Sequence, residues 1–118
     1  MAKEFSRITR VAELIQQEIA MLVQREIRNP NLALVTISAV EVSKDMAHAK
    51  VYVSVFGSEL DITQSLEILN SAAPYLRSLL AKKIRLRAIP QLKFYYDSSI
   101  SYGSKLAALI DKAIEKDK

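Results

Sequence analysis

The sequence predicts a single α+β domain in which a three-stranded sheet carries its helices on one face, and three observations lead to that class. Apolar residues recur at spacings of three and four near the start, between residues 61 and 85, and again near the end, which marks helices. Two runs rich in β-branched residues, 34–43 and 49–55, and a later alternating run, 92–96, mark strands. At 118 residues the chain is long enough for one domain with a real core and too short for two ordinary ones, so residues 1–118 are expected to form one unit.

From about Ser6 to Arg28, the residues Val11, Leu14, Ile15, Ile19, Leu22, Val23 and Ile27 form the apolar stripe of an amphipathic helix. Asn29-Pro30-Asn31 stops it, because proline disfavours helix in the residue before it. Leu34 to Ser43 follows as a strand whose alternation slips: Val35, Ile37 and Ala39 share one face, while Val40 and Val42 occupy the other. A β-bulge near Ala39, or burial on both faces, explains the slip. After the turn at Lys44-Asp45-Met46-Ala47-His48, the residues Ala49, Val51, Val53 and Val55 alternate with Lys50, Tyr52 and Ser54 as a second strand, antiparallel to the first.

Gly57-Ser58-Glu59-Leu60 is a loop, and Asp61 with Gln64 is the expected capping box of the next helix, which buries Ile62, Leu66, Leu69 and Ala73. Pro74 has no N–H and its ring meets the carbonyl of Asn70, so a kink or restart is expected at Ser71, Ala72, Ala73 and Pro74. A restarted helix would run from Pro74 to about Arg85, with Pro74 at its first position. At about 100° per residue, its Arg77, Ser78, Lys82 and Arg85 fall within an arc of about 140°. Leu76, Leu79, Leu80 and Ile84 fill the other side, and Lys83 falls inside that apolar arc. Leu92, Phe94 and Tyr96 alternate with Lys93 and Tyr95 as a third strand, and Leu106, Leu109, Ile110, Ala113 and Ile114 mark an extra C-terminal helix. The order α-β-β-α-kink-α-β is that of a type II KH-like module, in which the turn between two helices clamps nucleic-acid backbone.

Charge points the same way. No acidic residue occurs between Glu67 and Asp97, while Arg77, Lys82, Lys83, Arg85, Arg87 and Lys93 all do; that +6 exceeds the chain's net +4 and leaves −2 for everything else. A local positive field speaks of partners rather than of folding, and the partner it suits is a polyanion. Lys3, Arg7 and Arg10 extend the candidate RNA-binding set from the first helix. At the kink, free N–H groups of Tyr75 and Leu76 would form a phosphate site at a helix N-terminus. Plain alternatives stand beside these readings. Lys82, Lys83 and Arg85 complement a helix dipole without any ligand, Ala72-Ala73-Pro74 can be a packing corner, and although one of Tyr95 and Tyr96 can stack a base, burial of both in the sheet is the plainer fate.

Catalysis fails on inventory. His48 is the only histidine and there is no cysteine, which leaves too few of the usual ligands for a zinc site and one possible base for a triad. Gly57 and Gly103 are the only glycines, which excludes the Walker and dinucleotide-binding loops. No catalytic, metal or cofactor-binding residue is therefore expected. The lack of cysteine removes any reason to invoke an oxidising compartment, and a cytoplasmic home fits. No run approaches the ~18 apolar residues that span a bilayer. The competing binding reading is a basic interaction module that meets an acidic protein or membrane surface.

Short motifs spread along nearly the whole chain carry a family resemblance. They are Met1-Ala2-Lys3-Glu4-Phe5 with Arg7, Arg10 and Val11; Gln24-Arg25-Glu26-Ile27 with Pro30; Val40-Glu41-Val42-Ser43 with Asp45; Ala49-Lys50-Val51-Tyr52-Val53; Leu76-Arg77-Ser78-Leu79-Leu80; and Leu86-Arg87 through Pro90, Leu92, Phe94, Tyr96 and Asp97. In that order and spacing the sequence resembles the bacterial ribosome-binding factor A family. The resemblance implies a KH-type fold and a non-catalytic, monomeric factor that binds the free small (30S) ribosomal subunit and its 16S rRNA. It further implies a role in late maturation, including rRNA processing near the 5′ end, alongside other assembly factors and with special importance in the cold. Family members commonly kink at an Ala-x-Gly; this chain departs from that with Ala72-Ala73-Pro74.

Overall fold

In the computed structural model, residues 2–98 are described, with side chains from residue 7 onward. The expected C-terminal helix and the side chain of Lys3 lie outside the described residues. The elements are α1 (Ala2–Glu26), β1 (Leu34–Val42), β2 (His48–Phe56), α2 (Glu59–Lys83) and β3 (Gln91–Tyr96). One sheet holds the strands in the order β1-β2-β3, with β1 antiparallel to β2 and β3 parallel to β2. A parallel neighbour cannot be reached by a tight turn, so α2 is the crossover that carries the chain from the end of β2 back to the start of β3.

The helices and the sheet bury one shared layer. Val11, Ile15, Ile19, Leu22 and Val23 from α1 meet Ala49, Val51, Val53 and Val55 from β2 and Leu92 and Phe94 from β3. From α2 come Leu69, Ala73, Leu76 and Leu80, at spacings of four, three and four. Each fully buried Leu or Ile here contributes about 1.5–3 kcal/mol relative to exposure. The slip in β1 is a bulge: Ile37 pairs with Val53 and Ala39 with Tyr52, so Ser38 is the extra residue. Its insertion moves Val40 and Val42 onto the face already used by Val35 and Ile37, where all four pack against the core. The Ser38 hydroxyl lies 2.9 Å from Asp97 Oδ2 and 3.1 Å from the Tyr52 carbonyl, and Gln16 Nε2 donates to the Ser38 carbonyl at 3.4 Å. The bulge therefore joins α1, β2 and the end of β3.

Two expectations change in α2. Its cap is Ser58 rather than Asp61: the Ser58 hydroxyl accepts from Asp61 N at 3.2 Å, and Asp61 Oδ2 accepts from Ser58 N at 2.8 Å. Ser58-x-x-Asp61 is itself a capping box, shifted by one turn from the expected Asp61-x-x-Gln64. Gly57 makes the shift possible. It sits at φ +152°, and a Cβ added there would lie 2.5 Å from the Asp61 carboxylate oxygen that closes the box.

The second change concerns Pro74. The two expected helices form one element from Glu59 to Lys83, with Pro74 inside it. Proline removes one rung, the bond to the Asn70 carbonyl, but leaves the rest of the ladder. Its ring is on the exposed side, while Ala73 and Leu76 on either side are buried against the sheet. Burial on both flanks holds the chain helical across the missing rung.

Asn70, one turn before the proline, performs an unforeseen task. Its Nδ2 donates to the Phe94 carbonyl at 3.2 Å and its Oδ1 accepts from Phe94 N at 2.8 Å. β3 is an edge strand, and this side chain satisfies an outward-facing backbone pair that lies beneath a helix. At the opposite edge, Ser65 Oγ accepts from Ala33 N at 3.1 Å, which anchors α2 to the entry of β1.

The β1–β2 hairpin closes with Met46 at φ 60°, stabilised by Met46 N donating to the Ser43 carbonyl at 2.9 Å. Asp45 Oδ1 accepts from the Ser43 hydroxyl at 2.6 Å and from Ala47 N at 3.0 Å. The Ser43 hydroxyl, then the Ala47 N–H, holds the Asp45 carboxyl below its ordinary value. A depressed carboxyl adds stability above its unfolded value, about pH 4, and loses it as the pH falls through the lower folded value.

Candidate nucleic-acid interface

The last turn of α2 and the segment after it build the main cationic surface. Ile84 ends the helix in an extended conformation, φ −110° and ψ 126°, while its N–H still bonds the Leu80 carbonyl at 2.8 Å. From there the chain alternates. Ile84 is buried, Leu86 is half-buried and Ile89 is buried, so Arg85 and Arg87 point outward beside the exposed Lys82 and Lys83. Lys83 escapes the apolar arc because the helix stops at it. None of these four has a hydrogen-bonded or ionic partner among the described residues. They also sit at a helix C-terminus, where the dipole favours cations, yet Arg85 and Arg87 lie past the last turn and a dipole does not explain them.

Arg77 is different. Its Nε donates to the Ile89 carbonyl at 2.9 Å, so it fastens α2 to the strand entry that follows. The residue is otherwise exposed, which leaves it a strut first and a candidate contact second.

Topology brings the N-terminal arm to the same end of the sheet. β1 ends where β2 and β3 begin, since Val42 pairs with Ala49 and Ala49 with Leu92. Along α1, Gln16 reaches Ser38, and Ile8, Thr9 and Ala12 share a groove with Val40, Glu41 and Val42. α1 therefore begins at the hairpin end. Arg77 reaches Ile89, just before β3, and α2 finishes at that end too. Exposed Arg7, Arg10, Lys82, Lys83, Arg85 and Arg87 thus collect at one end, with Lys44 in the hairpin between them. Of the acids near this end, Asp45 is held in its turn and Glu41 accepts from the Tyr52 hydroxyl at 3.3 Å, while the exposed Glu13 lines the same groove of α1.

Lys93 and the expected kink do not join this cluster. Lys93 alternates with the buried Leu92 and Phe94, so it projects from the sheet face that the helices leave open. There it neighbours Lys50, its register partner on β2, and its ammonium lies 5.3 Å from the centre of the Tyr95 ring. Lys50 and Tyr52 are site candidates that sequence reasoning misses. Alternation in 49–55 already places them on one face, but only the non-local parallel pairing sets them beside Lys93 and Tyr95. Tyr96, by contrast, packs against the core.

The kink is the other. Tyr75 and Leu76 are interior helical residues, whose N–H groups bond back to the carbonyl four residues earlier and so cannot cradle a phosphate. Ser71 and Ala72 line a cleft with Glu26, Arg28, Asn29 and Glu67, in which carboxylates outnumber the single cation. The Tyr75 hydroxyl donates to Glu26 Oε2 at 3.3 Å, and the Glu26 charge beside it raises the phenol above its ordinary value. The N–H donors expected at Tyr75 and Leu76, just after Ser71, Ala72, Ala73 and Pro74, are not free because the helix does not restart there. His48 opens β2 on the surface. Among the described residues no group of three His, Asp or Glu is placed to hold a metal, and no helix is long and apolar enough to cross a membrane.

Comparisons with known proteins agree with this architecture. A family model described as Ribosome-binding factor A matches residues 7–110. The Ribosome-binding factor A of Ectopseudomonas mendocina is 51% identical over 121 residues, covering 100% of this chain and 94% of that protein. The crystal structure of ribosome-binding factor A from Thermus thermophilus superposes with a TM-score of 0.68 at 30% identity, covering 75% of this chain and 93% of that one. A homology model of the Thermus thermophilus factor, fitted into the cryo-EM map of a 30S–RbfA complex, gives a TM-score of 0.63 at 31% identity, covering 74% and 91%. The KH-like α+β fold, the motif spacing and these matches agree: the chain belongs to the ribosome-binding factor A family.

Proposed function

We propose that this chain binds the free small ribosomal subunit through its 16S rRNA and acts without catalysis, favouring one subunit conformation so that other enzymes can complete processing. The observation that carries the reading is the set of exposed cations at the hairpin end that have no partner among the described residues: Lys82, Lys83, Arg85 and Arg87, with Arg7 and Arg10 from α1. Side chains of this kind position a protein on phosphates, and a Thermus relative is fitted into a map of a 30S complex. Late maturation, processing near the 5′ end, importance in the cold and a cytoplasmic site of action belong to the same proposal and rest on the family resemblance.

Co-sedimentation with small subunits over a range of salt tests it. The logarithm of affinity should fall linearly with the logarithm of salt, and replacing Lys82 by glutamine should reduce that slope by about one. Absence of rRNA from every protein-containing gradient fraction would favour an acidic protein or membrane surface instead.

A further inference from the structure

Among the described residues, α1 and α2 cover one face of the sheet, and the other face carries a cluster of four side chains, Lys50, Tyr52, Lys93 and Tyr95. In the β2–β3 register Lys50 stands beside Lys93 and Tyr52 beside Tyr95. The tyrosine rings are 5.9 Å apart between centroids and tilted at 33° to one another. Lys50 Nζ lies 5.9 Å, and Lys93 Nζ 5.3 Å, from the centre of the Tyr95 ring. Like charges held side by side across two strands destabilise a sheet. Lys50 has one compensating neighbour, Glu41 in register on β1, but that carboxylate also receives the Tyr52 hydroxyl, and Lys93 at the sheet edge has no acid opposite it among the described residues.

Both lysines are exposed and both tyrosines half-buried, so ring surface and ammonium groups face solvent together. Two cations beside a pair of aromatic faces match a base with its phosphate, the rings taking the base and the ammonium groups the charge. We infer that this open sheet face is a second RNA contact, which takes an unpaired nucleotide by stacking its base on the Tyr52–Tyr95 pair and seating its phosphate between Lys50 and Lys93.

The ligand has to be single-stranded, because a duplex hides its base faces and offers only phosphates. An anion between the lysines also relieves their mutual repulsion, which gives the pairing a purpose in the bound state. Glu41 fixes the Tyr52 ring through its hydroxyl and repels any phosphate that approaches from the β1 side, which directs the backbone along the β3 edge. The site is distinct from the hairpin-end cations, since Arg85 and Arg87 follow the helix that covers the opposite face. It rests on the reading that the chain binds RNA and adds what part of an RNA this face takes.

The probe is a short fluorescent oligoadenylate, titrated against the full chain, with the same strand annealed to its complement as control. Tyr95→Leu should weaken oligoadenylate binding about tenfold, Tyr95→Phe should restore it by keeping the ring, and Lys50→Gln with Lys93→Gln should weaken it and flatten its salt dependence. The duplex should bind less tightly than the single strand. Equal affinity of Tyr95→Leu and the wild type, or equal affinity for duplex and single strand, would overturn the inference. A short polyglutamate peptide that displaces the RNA and binds Tyr95→Leu as tightly as the wild type would assign the face to an acidic peptide. Small-subunit binding by the wild type is measured in parallel. Its loss would remove the functional reading, whereas normal subunit binding with any of the overturning results removes this site alone.

Discussion

Reversing Lys82, Arg85 and Arg87 to glutamate is expected to lower small-subunit affinity by a factor of about a hundred to a thousand at moderate salt, with the thermal midpoint nearly unchanged. All three side chains are exposed and have no partner among the described residues, so no native contact is lost. Surface substitutions of that kind shift stability by about 0.5 kcal/mol or less. Binding is another matter. A solvent-exposed hydrogen-bonded contact is worth about 1–1.5 kcal/mol, and three of them lost together amount to about two to three decades of affinity at about 1.4 kcal/mol per decade. Reversal also places three carboxylates where phosphates approach. Gradient co-sedimentation gives the affinity and a calorimetric scan gives the midpoint. Undiminished binding by a folded triple variant would show that the hairpin end is not the contact.

The largest structural effect is expected at Asn70. Asn70→Ala strips both partners from the Phe94 backbone in one step, since Nδ2 and Oδ1 are removed together. Phe94 is 2% exposed and its edge lies under α2, so water has poor access to the orphaned N–H and C=O. At about 1–3 kcal/mol for each of the two unsatisfied groups, the variant should lose about 2–6 kcal/mol. Urea titration measures this directly, as a lower midpoint with an unchanged slope. Asn70→Asp keeps the acceptor and loses the donor, so it should fall between the two. A midpoint within error of wild type for Asn70→Ala would mean that the β3 edge needs no such bracket.

Asn70 also shows where the sequence stops being informative. The stripes of α1 and α2, the three strands and the bulge are legible because each has a periodicity that one residue's displacement visibly breaks. Ser38 leaves its mark as a slipped alternation, and Arg85 and Arg87 as an acid-free basic run. Asn70 leaves no mark, because a polar residue beside an apolar stripe looks the same whether it faces water or a strand edge. The cap moves by a turn for a related reason. Ser58-x-x-Asp61 and Asp61-x-x-Gln64 are equally good local patterns, and the conformation at Gly57 decides between them.

At Pro74 the local cost of proline, taken alone, predicts a kink or a restart, and packing rules out the restart. The missing rung is real, but the buried Ala73, Leu76 and Leu80 hold the helix against the sheet through it. With that correction the phosphate donors at the kink disappear and the weight of the site moves to the helix end. Lys93 changes place because a strand has two faces, and proximity in sequence groups charges without regard to face. Its true neighbours, Lys50 and Tyr52, come from about forty residues earlier through a parallel pairing that no short-range pattern encodes.

Lysine footprinting of the wild-type chain on the small subunit would examine the hairpin-end assignment most directly. Acetylation rates are compared for each lysine in the free protein and in the complex, with no substitution to disturb the fold. Lys82 and Lys83 are expected to be strongly protected on binding. Modification of both at their free-protein rates in a saturated complex would contradict the assignment.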